Sequence, residues 1–302
     1  MRKTTTFLLV LALAGCGASS GGTTTTGGDD TTGTSDPATA STGGDEAPED
    51  TGPVEMPPAG DLDAALAGAQ RSAENRARDA WRHPRETLTF FGVEPTMRVI
   101  EISPGGGWYT EILAAYLRGQ GHLVAAVPSA EGRRARYRQT FVDRQTAHPE
   151  IFGEVELVTF DTPEPIELGP DGSADMVLTF RNTHGMINDE AVEQAYQAFF
   201  RVLRPGGVLG VVQHRADPEA DPFLAAQTGY VPEEFVIGVA RRAGFVLEER
   251  SDVNANPNDD HDHPEGVWTL PPTYRLGDTD RAQYAAIGES DRMTLRFRKP
   301  AE

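Results

Sequence analysis

The sequence predicts an α/β fold in which a mainly parallel, doubly wound sheet carries helices on both faces. Short apolar runs typical of buried strands alternate with helical patterns along most of the chain. A glycine turn, Gly105–Gly107, follows the first of these runs, where a strand passes into a helix. The opening residues are of low complexity, and about 240 of the 302 residues remain, which suits one such domain.

Seven apolar runs, each bounded by turn residues or charges, predict the strands. In chain order they are 97–102, 121–127, 155–160, 174–180, 208–213, 245–253 and 293–298. The first five are separated by segments long enough for crossover helices, so we expect those strands to be parallel. A long insertion separates the last two.

Apolar residues at helical spacing predict the helices. Two helical patterns, 61–80 and 85–92, precede the first strand, and the second ends at a glycine, which is typical of a helix terminus. The later helical segments are 108–118, 133–148, a long helix from Asn188–Asp189 to Leu203, and 232–242. Their alternation with the strands predicts that helices cover both faces of the sheet.

The first residues predict a secretory signal and a lipid anchor. Two basic residues precede the apolar run Phe7–Leu13, which is too short to span a bilayer. The segment Leu13–Cys16 resembles the lipobox of bacterial lipoproteins, which implies that residues 1–15 are removed and that the Cys16 thiol carries lipid. An ordinary cleaved signal with an incidental cysteine is the alternative. Gly17 resembles an outer-membrane sorting signal, so we expect attachment to that membrane, facing the periplasm.

Composition limits the partners of the remaining chain. Residues 16–60 are rich in Thr, Gly, Ser and Pro, which predicts a disordered tether before a folded domain at 61–302. Cys16 is the only cysteine, which excludes internal disulfides and a cysteine-based zinc site. The formal net charge of −19 argues against a nucleic-acid partner. No later apolar run is long enough for a membrane helix, so membrane contact is expected through the lipid alone.

The segment around the glycine turn carries the most specific signal in the chain. Val99, Ile100 and Ile102 form a short apolar strand that contains Glu101, and the turn and a helix follow. This arrangement resembles the first cofactor motif of class I S-adenosylmethionine (SAM)-dependent methyltransferases, acid-x-Gly-x-Gly-x-Gly. Ser103 stands in place of the first glycine.

Other segments extend the resemblance. Val202–Leu209 resembles the stretch before strand 5 of that family. The family's fold implies a seven-stranded Rossmann-like sheet with the order 3-2-1-4-5-7-6, in which strand 7 is antiparallel. The segments that resemble a subfamily of predicted bacterial methyltransferases are Arg78–Asp79, Arg82–Pro84, Phe90–Gly92, Pro104–Glu111 and Gly288–Met293.

The resemblance implies SAM as the cofactor and assigns residues to it. The residues expected at its methionine end are Glu101, Ser103, Gly105, Gly106 and Gly107. Asp161, after the third strand, matches the acid that often binds the adenine amino group; a simple turn residue is the alternative. Pro128, after the second strand, stands where the family usually places the acid that binds the ribose hydroxyls.

Polar residues after strands 4 and 5 are the candidates for the methyl-acceptor side. The run Phe180–His184 follows strand 4, where many methyltransferases keep residues that face the acceptor, and it contains the candidate Asn182. An imidazole titrates near neutral pH, so His184 or His214 is predicted as the general base. Arg215 is predicted to hold an anionic substrate. The alternatives are a helix-capping role for His184 and an ion pair of Arg215 with Asp217 or Asp221.

The segment 254–263 is the other dense polar cluster. Its carboxylate, amide and imidazole groups are of the kinds that bind divalent cations. Its spacing lacks the regularity of a calcium loop, and no metal ligand is assigned. A solvated insertion or a lid over the acceptor pocket are the other interpretations.

Together these features predict a lipid-anchored, cell-envelope SAM-dependent methyltransferase that acts on a small molecule. The alternative is an exported, non-catalytic binding protein that reuses the fold. Two observations favour that alternative: SAM is made in the cytoplasm, and Pro128 replaces the ribose-binding acid. A metal-dependent hydrolase built around 259–263 is a third, weaker hypothesis.

Overall fold

The computed structural model describes residues 54–163 and 165–301. The predicted signal, Cys16 and residues 16–53 of the predicted tether lie outside the described residues. Residues just before position 61 contact the domain: the Arg118 guanidinium donates to the carbonyl oxygen of Pro57 at 2.7 Å, and Gly60 N–H donates to Tyr116 O at 2.9 Å. None of the helices within the described ranges is both long and apolar enough to cross a membrane.

Seven strands form one sheet with the order β3-β2-β1-β4-β5-β7-β6. The strands are β1 Arg98–Ile102, β2 His122–Val127, β3 Glu156–Thr159, β4 Ala174–Phe180, β5 Leu203–His214, β6 Val246–Ser251 and β7 Arg292–Arg298. The first five pair in parallel, whereas β7 is antiparallel to both β5 and β6. The predicted fold class, strand order and antiparallel last strand are confirmed.

Twelve α-helices and one 3-10 turn accompany the strands in the described part of the chain. They are α1 Leu62–Ala67, α2 Ala73–Ala77, α3 Asp79–Arg82, α4 Pro84–Phe91, α5 Thr110–Leu117, α6 Ala135–Ala147, α7 Pro149–Phe152, α8 Thr183–Asn188, α9 Val192–Val202, α10 Pro222–Gln227, α11 Glu233–Ala243, the 3-10 turn Gly266–Thr269 and α12 Arg281–Ile287.

The apolar core lies on both faces of the sheet. In β1, Ile100 and Ile102 face a cluster with α8, α9 and α11, and Val99 faces a second cluster with α1, α4 and α5. This alternation follows from the two-residue period of a strand, because successive side chains point to opposite faces. All three side chains are fully buried, as a parallel strand covered on both faces requires.

The prediction of one helical pattern over 61–80 is wrong. Gly68 has an extended backbone with ψ of 156°, which ends α1, and the Ser72 hydroxyl caps α2 by accepting from Asn75 N–H at 3.0 Å. Between them the fully buried guanidinium of Arg71 pairs with Asp79 at 2.6 Å. This pairing folds the segment back on itself, so that three short helices replace the predicted one.

The long helix predicted from Asn188–Asp189 to Leu203 is also wrong. Asn188 ends α8, and Asp189 is its C-cap rather than an N-cap. Glu190 then adopts a left-handed backbone with φ of 56°, and α9 begins only at Val192. Leu203 belongs to β5, which is longer than predicted because it pairs with Ala174 before the main register begins.

Gly210 provides a test of the packing between β5 and α4. A Cβ on this residue would lie 2.8 Å from Cγ of Phe91 and 2.7 Å from Cδ2 of Leu178. Gly210→Ala is therefore expected to lower the free energy of unfolding by about 1–3 kcal/mol through overpacking. Urea unfolding at neutral pH measures the change.

Gly185→Ala in α8 is the matched control. A Cβ there meets no atom within 4 Å, so the free energy of unfolding should stay the same or rise by up to about 1 kcal/mol. Equal unfolding free energies for the two alanine variants would contradict the packing described here.

Candidate active site

The carboxyl ends of β1, β2, β3 and β4 meet at one edge of the sheet. Ser103 N–H donates to Ala126 O at 2.9 Å, and Phe160 N–H donates to Val127 O at 2.8 Å. Beyond β4, Arg181 N–H donates to Val212 O of β5 at 2.7 Å. In open parallel sheets this edge is where ligands bind, at the point where the strand order reverses. Here that point lies between β1 and β4.

The turn after β1 leaves open space above its backbone. Ser103, Gly105 and Gly107 have φ angles of 46°, 58° and 77°, so all three occupy the left-handed region. A Cβ built on Gly105 or Gly106 would meet no atom within 4 Å, and both residues are exposed. The turn therefore fits a ligand that approaches the backbone closely. The serine at position 103, where the motif has glycine, strains the backbone, because Ser103 holds a left-handed conformation that glycine adopts freely.

Glu101 is a buried acid beneath this turn. Glu101 is 2% exposed, and the Thr110 hydroxyl donates to Glu101 Oε2 at 2.7 Å. Burial raises the pKa of Glu101 to about 7, although the Thr110 hydrogen bond and the positive charge of Arg181 oppose this shift. The carboxyl group is thus poised to ionise near neutral pH when a cation binds beside it.

Trp108 does not fill the space above the turn. Its Nε1–H donates to Asn75 O at 2.9 Å, which draws the ring toward α2. The guanidinium groups of Arg71 and Arg82 lie 5.1 Å and 4.8 Å from the centre of the ring. These contacts tie α2 and α3 to the start of α5, so the N-terminal helices form a wall beside the turn.

Asp161 lies at the end of β3 and contacts the loop that follows β2. Its carboxylate accepts a hydrogen bond from Ser129 N–H at 3.0 Å. The Ser129 hydroxyl is also engaged, because it donates to Glu131 O at 2.7 Å. β2 ends at Val127 and is followed by Pro128, so the described residues place no acid directly after that strand. The adenine-binding role of Asp161 stays a prediction.

Three loops are joined next to Asp161. The Arg134 guanidinium donates to Asp189 Oδ2 at 2.5 Å and to the Thr162 hydroxyl at 3.1 Å, and the Thr162 hydroxyl donates to Asp189 in turn. Arg134 lies in the segment after β2, and Thr162 lies after β3. Asp189 is the C-cap of α8, the helix that follows β4. The network closes one end of the candidate cofactor crevice.

His184 and His214 come together at the ends of β4 and β5. Their ring centroids are 6.0 Å apart, and the Trp268 ring lies 5.8 Å from His184. Desolvation lowers the pKa of His184 to about 4. Desolvation, followed by the nearby His184 and Arg181, lowers the pKa of His214 well below its ordinary value. Both imidazoles are therefore neutral at pH 7, and their catalytic roles stay predictions.

Asn182 and Arg215, predicted to bind substrate, both have protein partners. The Asn182 side-chain amide donates to Ile102 O at 2.7 Å and bridges the ends of β4 and β1. The Arg215 guanidinium lies 3.1 Å from Asp291 and 3.3 Å from Asp252. Arg215 thus takes part in an ion-pair network, and substrate contact by either residue stays a prediction.

The structure reveals an arginine cluster that was not assigned from the sequence. It consists of Arg78, Arg82, Arg181 and Arg292, and the Glu289 carboxylate accepts from three of them at 2.8, 3.0 and 3.1 Å. Three of the segments that carry the family resemblance meet in this cluster, and they could have indicated it. They are Arg78–Asp79, Arg82–Pro84 and Gly288–Met293.

Asp259 organises the polar insertion. Its carboxylate accepts from the Tyr230 hydroxyl at 3.0 Å, from His263 Nε2 at 2.8 Å and from the backbone N–H groups of His261 and Asp291. Although burial opposes the shift, these donors lower the pKa of Asp259. Asp260 and His263 lie within 4.8 Å of it, as metal ligands would. The donors already crowd both oxygens, however, so the carboxylate fits a structural role better than cation binding.

Comparison with known proteins shows what the part of the chain that carries this site is similar to. Residues 100–211, from β1 into β5, match the family model of the methyltransferase domain. The sheet order, with its antiparallel last strand, is that of the Rossmann-like methyltransferase fold. Sterol 24-C-methyltransferase of Yarrowia lipolytica is 27% identical over 204 residues, which are 63% of this chain and 48% of that protein. The chain spans about half the length of the curated relatives it matches.

Solved structures share the fold at low sequence identity. The crystal structure of the cyclase SpnF has a TM-score of 0.54 and 16% identity, and the likeness covers 83% of this chain and 99% of that one. A structure provisionally assigned as a sarcosine dimethylglycine methyltransferase from Galdieria sulphuraria has a TM-score of 0.50 and 12% identity, covering 76% of this chain and 89% of that one. These likenesses show the fold alone.

The buried Glu101 carboxyl group makes stability depend on pH. Its pKa is about 7 in the folded protein against an ordinary value of 4.5, so the folded state keeps a proton that the unfolded chain loses. Stability should therefore fall as the pH rises across this window, by up to about 3 kcal/mol. Glu101→Gln has no carboxyl group to titrate here, so it should not lose this stability. Its free energy of unfolding relative to the wild type should therefore rise by this amount as the pH increases.

Urea unfolding of both proteins between about pH 4.5 and pH 7.5 measures the difference. The exposed Glu167, changed to Gln, serves as the control and should follow the wild-type curve. Parallel curves for the wild type and Glu101→Gln would show that Glu101 titrates normally.

Proposed function

We propose that this protein is a SAM-dependent methyltransferase that acts on a small molecule. The observation that carries the proposal is the open glycine turn above a buried acid, within a domain that matches the methyltransferase family. The glycine turn and the acid beneath it fit SAM in two respects. Gly105 and Gly106 leave the space above the backbone free, and Glu101 offers a carboxylate to a cationic ligand.

The chain's own residues have distinct tasks in this proposal. SAM, when bound, supplies a methyl carbon that is already activated by a sulfonium centre. Glu101 ionises and neutralises positive charge, and the backbone at Gly105 and Gly106 gives close contact. Asp161, at the end of β3, is proposed to bind the adenine amino group. Methyl transfer is an in-line displacement, so the main contribution of the protein is alignment.

Of the two imidazoles, His214 fits the role of base better. The Gln213 amide nitrogen, 3.4 Å from His184 Nδ1, can only donate, which places the His184 proton on Nε2. His214 Nδ1 lies 2.5 Å from the Ser290 hydroxyl. When Nδ1–H donates to that oxygen, Nε2 keeps its lone pair and accepts a proton from an acceptor hydroxyl or amine.

A non-catalytic binding protein is the second candidate function. The loop after β2 favours it, because Pro128 replaces an acid and both polar groups of Ser129 are engaged within the protein. Saturable SAM binding separates the two candidates.

SAM affinity should depend on pH and on Glu101. Because the cation favours the ionised carboxylate, binding should release a proton, and the affinity should fall roughly tenfold between about pH 8 and pH 6. Glu101→Gln should bind SAM at least about tenfold more weakly at pH 8 and lose this pH dependence. Isothermal titration calorimetry in buffers of different ionisation enthalpy measures the affinity and the proton release.

Glu167→Gln is again the control and should bind SAM like the wild type. No saturable SAM binding by the wild type would remove the methyltransferase function and leave the binding protein. Binding that is unaffected by Glu101→Gln would move the cofactor site elsewhere.

We further propose that the protein is lipid-anchored at Cys16 in the cell envelope, attached to the outer membrane and facing the periplasm. The lipobox resemblance of Leu13–Cys16 and the absence of any other cysteine support this location. Cys16→Ser should abolish incorporation of radiolabelled palmitate and move the protein from the membrane fraction to the soluble fraction. Ser19→Ala is the control, and an unchanged distribution of Cys16→Ser would contradict the anchor.

A further inference from the structure

Two segments from opposite ends of the domain meet at the edge of the sheet near the candidate active site. Arg78 links α2 to α3 and Arg82 ends α3, whereas Glu289 lies just before β7 and Arg292 begins it. The Glu289 carboxylate lies 2.8 Å from Arg78 Nε, 3.0 Å from Arg82 Nε and 3.1 Å from Arg292 Nη1. Three guanidinium groups thus share one carboxylate.

Arg181 adds a fourth guanidinium to this cluster. It follows β4 in a left-handed backbone with φ of 64°, a conformation that is uncommon for a residue other than glycine. It interacts electrostatically with Arg82, Glu289, Arg78 and Arg292, and its charge also reaches Glu101. Among the described residues, no hydrogen bond or ion pair to its side chain is found. Its five N–H donors are left for a ligand.

Positive charge is therefore in excess at a position only partly open to water, because Arg181 is half-buried and the Arg78 side chain is 21% exposed. The side chains of Arg82, Arg292 and Glu289 are 2%, 3% and 5% exposed. Burial, and after it the neighbouring Arg82, lowers the pKa of Arg181 well below its ordinary value. An unpaired charge in such surroundings is costly unless a counter-charge binds. Glu289 supplies one negative charge to four guanidinium groups, and an anionic ligand would supply a second.

The position of the cluster favours the acceptor over the cofactor. β4 and β7 flank β5 on the side of the sheet away from β2 and β3. His184 lies three residues after Arg181, and Ser290, next to Glu289, contacts His214. An anion on Arg181 would thus lie beside the two imidazoles. A guanidinium binds carboxylate and phosphate oxygens in the same two-pronged geometry.

We propose that the arginine cluster is an oxyanion site that binds a carboxylate or phosphate group of the methyl acceptor, with Arg181 as its main donor. The assignment of the oxyanion to an acceptor rests on the proposed methyltransferase function. The substrate class is then a small anionic molecule, held with its nucleophile near His214. The carboxylate of SAM itself is the other source of the same chemistry.

The test uses the full chain and two probes, inorganic phosphate and acetate, against chloride at equal ionic strength. Calorimetry should show saturable binding of at least one probe, and that probe should raise the melting temperature. Arg181→Met should weaken the affinity for the probe anion at least about tenfold, and Arg181→Lys should weaken it less because it keeps the positive charge. Arg241→Met, at an exposed arginine of α11, is the matched control and should bind like the wild type.

Folding and cofactor binding are measured on the same variants. In chloride, Arg181→Met should melt no lower than the wild type, because it removes an unpaired charge. Because the Arg181 charge also lowers the pKa of Glu101, SAM affinity is compared at about pH 9, where that carboxylate is ionised in both proteins. It should stay within about twofold of the wild-type value there, since an acceptor site is separate from the cofactor site. Phosphate or acetate should not compete with SAM.

Each remaining result decides the proposal. No saturable probe binding, with SAM still bound, would overturn the oxyanion site and leave the proposed function intact. Probe binding that competes with SAM, with SAM affinity lost in Arg181→Met, would overturn the acceptor assignment, because the cluster would then hold the SAM carboxylate. Probe binding without SAM binding would support the oxyanion site and remove the methyltransferase function.

Discussion

The direction of the strands brings every candidate group to one edge of the sheet. Because β1, β2, β3, β4 and β5 are parallel, their carboxyl ends lie together, and the residues after them share one crevice. Because β7 runs the opposite way, its amino end, with Glu289 to Arg292, reaches the same edge. An acid from β1, one imidazole from α8 and one from the end of β5, and arginines from β7 and the N-terminal segment can therefore act on one ligand pair.

Electrostatics divides this edge into two parts. Near β1 a buried carboxyl group with a raised pKa is suited to a cation, and near β4 and β7 four arginines around one carboxylate are suited to an anion. Although burial alone would raise it, Arg82, Arg292 and Arg78 hold the pKa of Glu289 below its usual range. A cationic methyl donor and an anionic acceptor would each find the opposite charge, which also favours their mutual approach.

Much of the fold follows from the sequence, because strand periodicity and the glycine turn are local signals. The strand order came from the family resemblance, and it is confirmed. The helix breaks at Gly68 and Asp189 were missed because they depend on the buried pairing of Arg71 with Asp79 and on the contact of α8 with α10. Arg78 and Glu289 are separated by 211 positions, so no local pattern could pair them. The partners of Arg215 likewise come from distant segments: α11, the loop after β6 and the residue before β7.

The most direct test of the account is a crystal structure of the domain with S-adenosylhomocysteine, the demethylated product of SAM. We expect the ligand to lie against the backbone of Gly105 and Gly106, with a polar atom of its methionine end within hydrogen-bond distance of Glu101. The arginine cluster should remain free of it. Ligand density absent from the turn, or bound elsewhere in the domain, would contradict the claim that this edge of the sheet is a cofactor site.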